Sequence, residues 1–330
     1  VHEVVAAGNG EHAAYILSWL ADVVQRPASK PGVAIVLKGL KGVGKDTLAE
    51  IMSAIIGRRH VAHYSNSDRI TDKFNAQLGE SLLIHAEEAA WGGHQKNKGT
   101  LQSLITAPTV DLERKGLDVV KINSFHRLLF TTNEEWSVPA TADERRYAVF
   151  NVADLRRGDR EFWNALYSQI QGSGPAGFLA YLQSWKTPPG VELRNPPQTV
   201  GLAGEKLAGL RNVDRWWHGL LTDGGLPGAG NWPYDDDEQS DWEYGWQTVD
   251  KAALRAAYET WWSAERHAGD RLSPADFGKA LFRLCPSAKE KKPRDPEGRR
   301  TRCYHLPSLA DCRDAFARVL GIEPEACPWR

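Results

Sequence analysis

Three glycines and a lysine, Gly39, Gly42, Gly44 and Lys45, lie in one short stretch of the chain. Glycine lets the backbone adopt a positive φ, which brings several N–H groups close to a phosphate chain. A lysine ammonium at this spacing supplies a positive charge to the β- and γ-phosphates. The stretch therefore predicts a phosphate-binding loop that binds ATP through Gly39, Gly42, Val43, Gly44, Lys45, Asp46, Thr47 and Leu48.

The residue after the lysine departs from the usual pattern of such loops, because Asp46 stands where Ser or Thr is expected and Thr47 follows it. The hydroxyl at that place is normally a direct ligand of Mg²⁺. Here Asp46 could hold the ion, with or without an intervening water, or Thr47 could contact a phosphate. The candidate Mg²⁺ ligands are therefore Asp46, Thr47 and Glu87.

Further polar groups follow apolar stretches later in the chain. Glu87 and Glu88 end the apolar run 81–86, and Asn133 follows the run 125–132. Glu87 is predicted to enter the Mg²⁺ shell and Glu88 to orient or deprotonate the attacking water. An amide donates and accepts at once, so Asn133 could hold that water or sense the γ-phosphate. Arg145 and Arg146 precede another apolar run, a place from which an arginine can reach a neighbouring subunit's nucleotide.

The elements around these groups indicate an α/β fold. The run 33–37 predicts a buried strand and residues 48–56 predict a helix, so the glycines occupy a strand-to-helix turn. The positive end of that helix also favours a phosphate. A helix at 11–26, a strand at 60–64, a polar helix at 68–75 and a hairpin at 109–122 are predicted as well. The tip of that hairpin is Arg114-Lys115-Gly116.

The second half of the chain predicts a separate domain. Helical patterns at 160–170 and 175–185 are followed by two proline pairs, which place a linker at 187–205. The predicted organisation is a helical segment at 1–30, a core at 31–186 and a C-terminal domain at 206–330. In that last domain, two helices and a basic hairpin follow the order of a winged helix. The predicted DNA contacts there are Lys279, Arg283, Arg299, Arg300 and Arg302; a solvated charged loop is the alternative.

Composition limits the classes of partner. Lys and Arg number 41 against 42 Asp and Glu, so DNA contacts must come from local basic patches rather than from net charge. The four cysteines lack zinc-site spacing and are expected to be reduced thiols of a cytosolic protein. Because no apolar run approaches the roughly 20 residues that span a bilayer, no membrane partner is expected.

The ordered set of the glycine-lysine loop, the glutamate pair, the hairpin tip, Asn133 and the arginine pair resembles the superfamily 3 helicases of viruses, phages and plasmids. The resemblance is strongest to the helicase part of phage-type and poxvirus-type primase-helicases. It implies an AAA+ type P-loop ATPase core that uses ATP and Mg²⁺. By position, Lys45 is the phosphate lysine, the tip with Arg114 and Lys115 contacts DNA, Asn133 is the sensor, and Arg145 or Arg146 is the finger.

The implied function is a replicative DNA helicase that acts on single-stranded and fork DNA as a hexameric ring in the host cytoplasm. The resemblance leaves open a primase or polymerase domain in cis or in trans. Two other functions remain open. One is a small-molecule or nucleotide kinase, because Gly-Lys-Asp-Thr also occurs in such enzymes. The other is a nucleotide-gated DNA-binding scaffold in which Asp46 impairs hydrolysis.

Overall fold

The computed structural model describes residues 1–65, 70, 75–88, 95–134, 137–227, 241–264, 271–294 and 298–329. The chain divides into two compact units. The larger unit comprises Val1–Ala140 and Glu144–Ala208, and the smaller comprises Thr141–Asp143 and Gly209–Arg330. Most of the polar helix predicted at 68–75 lies outside the described residues.

The larger unit alternates strands and helices along the chain. Its elements are α1 (Gly10–Gln25), β1 (Ala34–Lys38), α2 (Thr47–Ile56), β2 (Val61–Tyr64), β3 (Leu83–Ala86), α3 (Gln95–Thr106), β4 (Thr109–Leu112), β5 (Val120–Asn123), β6 (Arg127–Thr132), β7 (Tyr147–Asn151), α4 (Arg160–Gln171), α5 (Gly174–Ser184) and α6 (Val200–Ala208). The predicted first helix, the strands and the pair of helices after β7 are confirmed.

The main sheet has five parallel strands in the order β2-β3-β6-β1-β7. Parallel strands are usually buried on both faces, and β1, β3 and β6 are buried almost throughout. Since all five strands run the same way, the carboxyl ends of β1, β3 and β6 lie at one edge of the sheet. The segments that leave this edge are therefore the natural place for a binding site.

Alternate residues of the strands face two separate hydrophobic cores. Ile35 and Leu37 of β1 pack in one core with residues of α1, α2 and α5. Ala34 and Val36 face the other core, which includes residues of α3 and α6. The helices thus cover both faces of the sheet, which confirms the α/β fold class.

A buried arginine ties α1 to the sheet. Arg127, the first residue of β6, is 1% exposed and donates from Nη2 to Asp22 Oδ2 at 2.7 Å. Its guanidinium also donates to the carbonyls of Asp22, Arg26 and Phe125, so the C-terminal end of α1 is held by a cation. Burial lowers the pKa of the Arg127 guanidinium and its bond with Asp22 opposes that shift.

The predicted hairpin is confirmed by the antiparallel pair β4 and β5. At its tip, Gly116 has a φ of 77°. Leu117, Val119 and Val120 are apolar side chains that remain exposed close to the tip.

The linker predicted at 187–205 overlaps a helix in the structure, because residues 200–208 form α6 and pack on β7. Glu205 of α6 is fully buried, and its carboxylate accepts from Lys38 Nζ at 2.7 Å and from the backbone N–H of Ser137 at 2.8 Å. A Cβ on Gly201 would approach Val149 to 3.0 Å, so the helix lies very close to the strand. The boundary of the larger unit consequently falls after Ala208 rather than within 187–205.

The smaller unit contains α7 (Asn212–Asp223), β8 (Gln247–Asp250), α8 (Lys251–Ala264), α9 (Pro274–Leu284), β9 (Lys289–Lys291), β10 (Cys303–Leu306) and α10 (Leu309–Val319). Its antiparallel sheet has the order β8-β10-β9. β8 directly precedes α8 in the chain. Ser273 caps α9, since its Oγ accepts from the N–H of Asp276 at 3.2 Å. Among the described residues, no helix is long and apolar enough to cross a bilayer.

Candidate functional site

The glycine-lysine loop runs from the carboxyl end of β1 to the start of α2. β1 lies between β6 and β7 in the sheet, so this loop leaves the sheet beside two further strand ends. Gly42 and Gly44 have φ values of 82° and 85°, which L side chains rarely adopt. Gly39 donates its N–H to the carbonyl of Thr132 at 3.1 Å, which joins the loop to the end of β6. The strand-turn-helix context predicted for the loop is therefore present.

Lys45 lies inside the curve of this loop. Its Nζ donates to the carbonyls of Gly39 at 2.9 Å and Leu40 at 2.8 Å, and the residue is 7% exposed. Burial lowers the pKa of the Lys45 ammonium; Asp46 raises it and Lys41 lowers it further. An ammonium held at the mouth of a loop of backbone N–H groups is suited to receive an anion.

Asp46 and Thr47 point to different neighbours. Asp46 Oδ1 lies 3.6 Å from Nε2 of His85, and that nitrogen is 3.1 Å from Thr131 Oγ1. The nearby His85 imidazole lowers the pKa of the Asp46 carboxyl, although burial opposes the shift. Thr47 Oγ1 instead lies 3.4 Å from the hydroxyl of Tyr167 on α4.

These positions bear on the predicted Mg²⁺ ligands. Asp46 and Glu87 offer carboxylate oxygens, the type of ligand that Mg²⁺ prefers, at the carboxyl edge of the sheet. The Thr47 hydroxyl is buried against Tyr167. Of the three predicted ligands, Asp46 and Glu87 therefore have the oxygen type that a hard divalent cation prefers.

The glutamate pair and Asn133 lie at the same edge of the sheet. Glu87 follows β3, and its Oε1 is 2.9 Å from Nε2 of His63 on β2. Glu88 has a φ of 48°, which is uncommon for a residue with a side chain and turns the chain away from the strand direction. Asn133 follows β6, the strand between β3 and β1, and is exposed.

Helix α4 contributes two aromatic residues that the sequence prediction missed. A Cβ on Gly44 would lie 2.0 Å from Cη2 of Trp163, so the indole ring covers this glycine. The ring is held by a 2.7 Å hydrogen bond from Trp163 Nε1 to the carbonyl of Arg156. Tyr167 lies one turn later, and this i, i+4 aromatic spacing was the available signal.

The arginine pair lies at the opposite edge of the sheet, because it precedes β7. Glu144 accepts from the backbone N–H groups of Arg145 at 3.0 Å and Arg146 at 2.8 Å, which fixes the turn. Both arginines line a pocket of about 400 Å³ together with Lys30 and Arg194. Burial lowers the pKa of Lys30 to about 8, and the charge of Arg127 lowers it too. The chain therefore separates this basic pocket from its own Lys45.

The predicted DNA contacts are divided between the two units. Arg114 and Lys115 are exposed at the tip of the β4–β5 hairpin in the larger unit. In the smaller unit, Lys279 and Arg302 line a groove of about 680 Å³ whose other residues include Lys251, Arg255, Phe282 and Tyr304.

The remaining basic residues lie elsewhere in the smaller unit. Arg283 forms an ion pair with Asp214 of α7, and Arg299 and Arg300 lie in the connection from β9 to β10. The cation-lined groove thus contains only part of the predicted set.

Comparison with known proteins relates the chain to a phage protein. Residues 37–146 match a family described as a family of unknown function (DUF5906). Over 173 residues the chain is 25% identical to the DNA primase-polymerase of Nitratiruptor phage NrS-1, which is 52% of this chain and 24% of that protein. The alignment thus spans about a quarter of the length of that relative.

Solved apo structures of the C-terminal region of the NrS-1 protein have a similar fold. One has a TM-score of 0.65 at 15% identity and covers 92% of this chain and 74% of that region. Its A form has a TM-score of 0.65 at 16% identity, with 92% and 73% covered. This likeness shows a shared mixed α/β fold that contains a parallel sheet.

Proposed function

We propose that the chain is the ATP-driven motor of a phage DNA replication protein, a helicase with an AAA+ type P-loop core. The observation that carries the proposal is the loop of residues 39–46, which curves around Lys45 at the carboxyl end of β1. The sheet order supports it, because ligands of open α/β sheets bind at the carboxyl ends of the strands, at the point where the strand order reverses. Relatedness to a phage primase-polymerase supports a role in DNA replication.

In this proposal the triphosphate binds to the N–H groups of the loop and to the positive end of α2. The Lys45 ammonium exchanges its two carbonyl partners for phosphate oxygens. Asp46 and Glu87 would hold Mg²⁺, which neutralises the charge of the phosphates when it is bound. Glu88 acts as the base for the attacking water and Asn133 orients that water, since both follow strands that end at this edge.

The position of Arg145 and Arg146 favours action on a neighbouring subunit. They lie at the edge of the sheet opposite Lys45, so within one chain they do not meet the proposed nucleotide site. In a closed ring, which we propose to be a hexamer, the basic pocket of one protomer completes the nucleotide site of the next. An arginine supplied in this way is worth roughly 10³ to 10⁵ in rate in the systems where it has been measured.

DNA is proposed to contact the exposed hairpin tip and the groove of the smaller unit that Lys279 and Arg302 line. Cations at a hairpin tip follow a phosphate backbone without reading sequence, which suits a motor. The helix-helix-hairpin order of the smaller unit supports a winged-helix-like module that binds duplex or fork DNA. Neutralising four to five phosphates predicts a log-log salt slope of about −4 for duplex binding.

ATP turnover, measured with and without single-stranded DNA, tests the proposal. We expect DNA-stimulated turnover in the wild type and its loss in Lys45→Ala. Lys186→Ala is the matched control, because that lysine of the larger unit is exposed and lies outside the loop. Phosphate transfer to a nucleoside monophosphate would instead indicate a kinase. Nucleotide binding without turnover would indicate a scaffold.

The role of the hairpin is tested separately. Lys115→Ala should abolish DNA stimulation and unwinding while basal turnover remains. Lys121→Ala is the control, because Lys121 lies on β5 of the same hairpin in an exposed 3.2 Å ion pair with Asp111. Unchanged unwinding in Lys115→Ala would remove the tip from the mechanism.

A further inference from the structure

Two imidazoles and a carboxylate meet at the carboxyl ends of β2 and β3. His63 and His85 are paired in the parallel register of these strands, and Glu87 lies two residues after His85. Side chains in register, and those two residues apart on one strand, face the same side of a sheet. The proximity of His63 and His85 therefore follows from the sheet register, and Glu87 joins them just after the end of β3.

The ligand atoms of the cluster are close enough to share an ion. One ligand atom from each of the three residues lies within 4.8 Å of the others. His63 Nε2 and Glu87 Oε1 are 2.9 Å apart, and the two imidazole centroids are 5.2 Å apart. With Zn–N bonds of about 2.0 Å, tetrahedral ligand atoms lie about 3.3 Å apart. The side chain of His63 is 52% exposed, so it has the freedom to rotate by the small amount required.

The surroundings of the cluster resemble the outer shell of a metal site. The side chain of His85 is 5% exposed and its Nε2 is held by Thr131 Oγ1 at 3.1 Å. Asp46 Oδ1 lies 3.6 Å from the same nitrogen and adds a second carboxylate. Groups of this type fix the ring orientation of a metal-binding histidine. Imidazole ligands favour Zn²⁺, Fe²⁺ and their first-row neighbours over Mg²⁺.

We propose that His63, His85 and Glu87 form a binding site for a divalent transition-metal ion of the Zn²⁺ class, which is occupied without nucleotide. The site is distinct in chemistry from a Mg²⁺ site of oxygen ligands alone. It shares Glu87 with the proposed nucleotide site, so a transition-metal ion and the Mg²⁺ of ATP would meet at this edge of the sheet. The inference does not require that the chain hydrolyse ATP.

The test is a titration of the full chain with Co²⁺ alone, followed by visible absorption, together with calorimetry using Zn²⁺ alone. We expect saturable binding with the absorption bands of nitrogen and oxygen ligands. His63→Ala and Glu87→Gln should each weaken binding by at least about tenfold, since even outer-shell changes cost roughly 10- to 100-fold. His60→Ala is the matched control and should bind as the wild type does, because His60 precedes β2 and lies outside the cluster.

Three results would overturn the inference. The first is the absence of Co²⁺ and Zn²⁺ binding to the wild type, and the second is binding that is unchanged in both His63→Ala and Glu87→Gln. The third is thiolate charge-transfer absorption, which would place the ion at the buried pair Cys285 and Cys312, whose sulfurs are 3.7 Å apart. Far-UV circular dichroism verifies that each variant is folded.

A further variant separates this inference from the proposed function. Lys45→Ala should lose ATP turnover and still bind Co²⁺. Wild-type turnover with Mg²⁺ in a chain that binds no Co²⁺ would remove the metal site and leave the motor proposal standing. Co²⁺ binding without any ATP turnover would remove the motor proposal and leave the metal site standing.

Discussion

Gly44 and Gly42 form a natural pair for testing how α4 packs on the glycine-lysine loop. Both have a φ near the same positive value, 85° and 82°. They differ in their surroundings, because a Cβ on Gly44 would lie 2.0 Å from the ring of Trp163, whereas a Cβ on Gly42 would meet nothing within 4 Å. Alanine at the two positions therefore separates backbone strain from steric conflict.

The expected losses in the free energy of unfolding follow from the backbone strain and the steric conflict. A positive φ costs an alanine about 1–2 kcal/mol relative to glycine, so Gly42→Ala should lower the free energy of unfolding by about that amount. Gly44→Ala adds an overpacking term of about 1–3 kcal/mol. Movement of the Trp163 ring away from the new methyl group would also weaken its hydrogen bond to the carbonyl of Arg156, which itself contributes about 1 kcal/mol.

Urea denaturation of both variants measures the difference. We expect Gly44→Ala to be less stable than Gly42→Ala by about 1–3 kcal/mol. The double variant Gly44→Ala/Trp163→Ala should recover part of that loss, which a double-mutant cycle with Trp163→Ala expresses as a coupling energy. Equal destabilisation by the two alanines, with no coupling to Trp163, would refute the packing described for α4.

Three other perturbations test separate features. Because the nearby His85 imidazole holds the pKa of Asp46 below its usual value, the ionised carboxylate stabilises the fold above that usual value, and this contribution disappears as the pH falls through the lowered pKa. Asp46→Asn should thus lose less stability than the wild type in urea denaturation as the pH falls below 3.8, the ordinary pKa of this carboxyl, and an equal loss would contradict this. Asp22→Ala leaves the Arg127 guanidinium buried without its carboxylate, so the free energy of unfolding should fall by about 3–5 kcal/mol, and a loss below about 1 kcal/mol would argue against the buried pair. Glu205→Gln weakens the contacts that hold α6, so limited proteolysis should cleave residues 187–208 faster than in the wild type, and an unchanged cleavage rate would restore the linker interpretation.

Much of the larger unit could be predicted because its signals are local. The apolar runs around Ile35 and Leu129 are long enough to indicate buried strands, and the glycine pattern marks the turn after β1. Since parallel strands end at one edge, the positions of Lys45, Glu87 and Asn133 relative to the sheet also followed from the order of the runs.

Other features depend on contacts between distant parts of the chain. α6 follows two proline pairs, and its buried Glu205 is stable only because Lys38 and the backbone of Ser137 are there to meet it. The proximity of His63 to His85 requires the pairing of β2 with β3, which neither segment indicates alone. The indole of Trp163 over Gly44 likewise depends on the docking of α4.

Strand β6 runs from one edge of the sheet to the other, and different contacts surround its two ends. Arg127 at its start is locked into main-chain carbonyls at the end of α1, and Asn133 follows its last residue, about 20 Å further on at 3.3 Å per residue. Movement of this strand along its axis would pull the buried Arg127 guanidinium away from its partners, so these contacts hold β6 in position. We therefore expect a rearrangement around Asn133 to occur in side chains and in the loops beyond the strand ends rather than by a shift of β6.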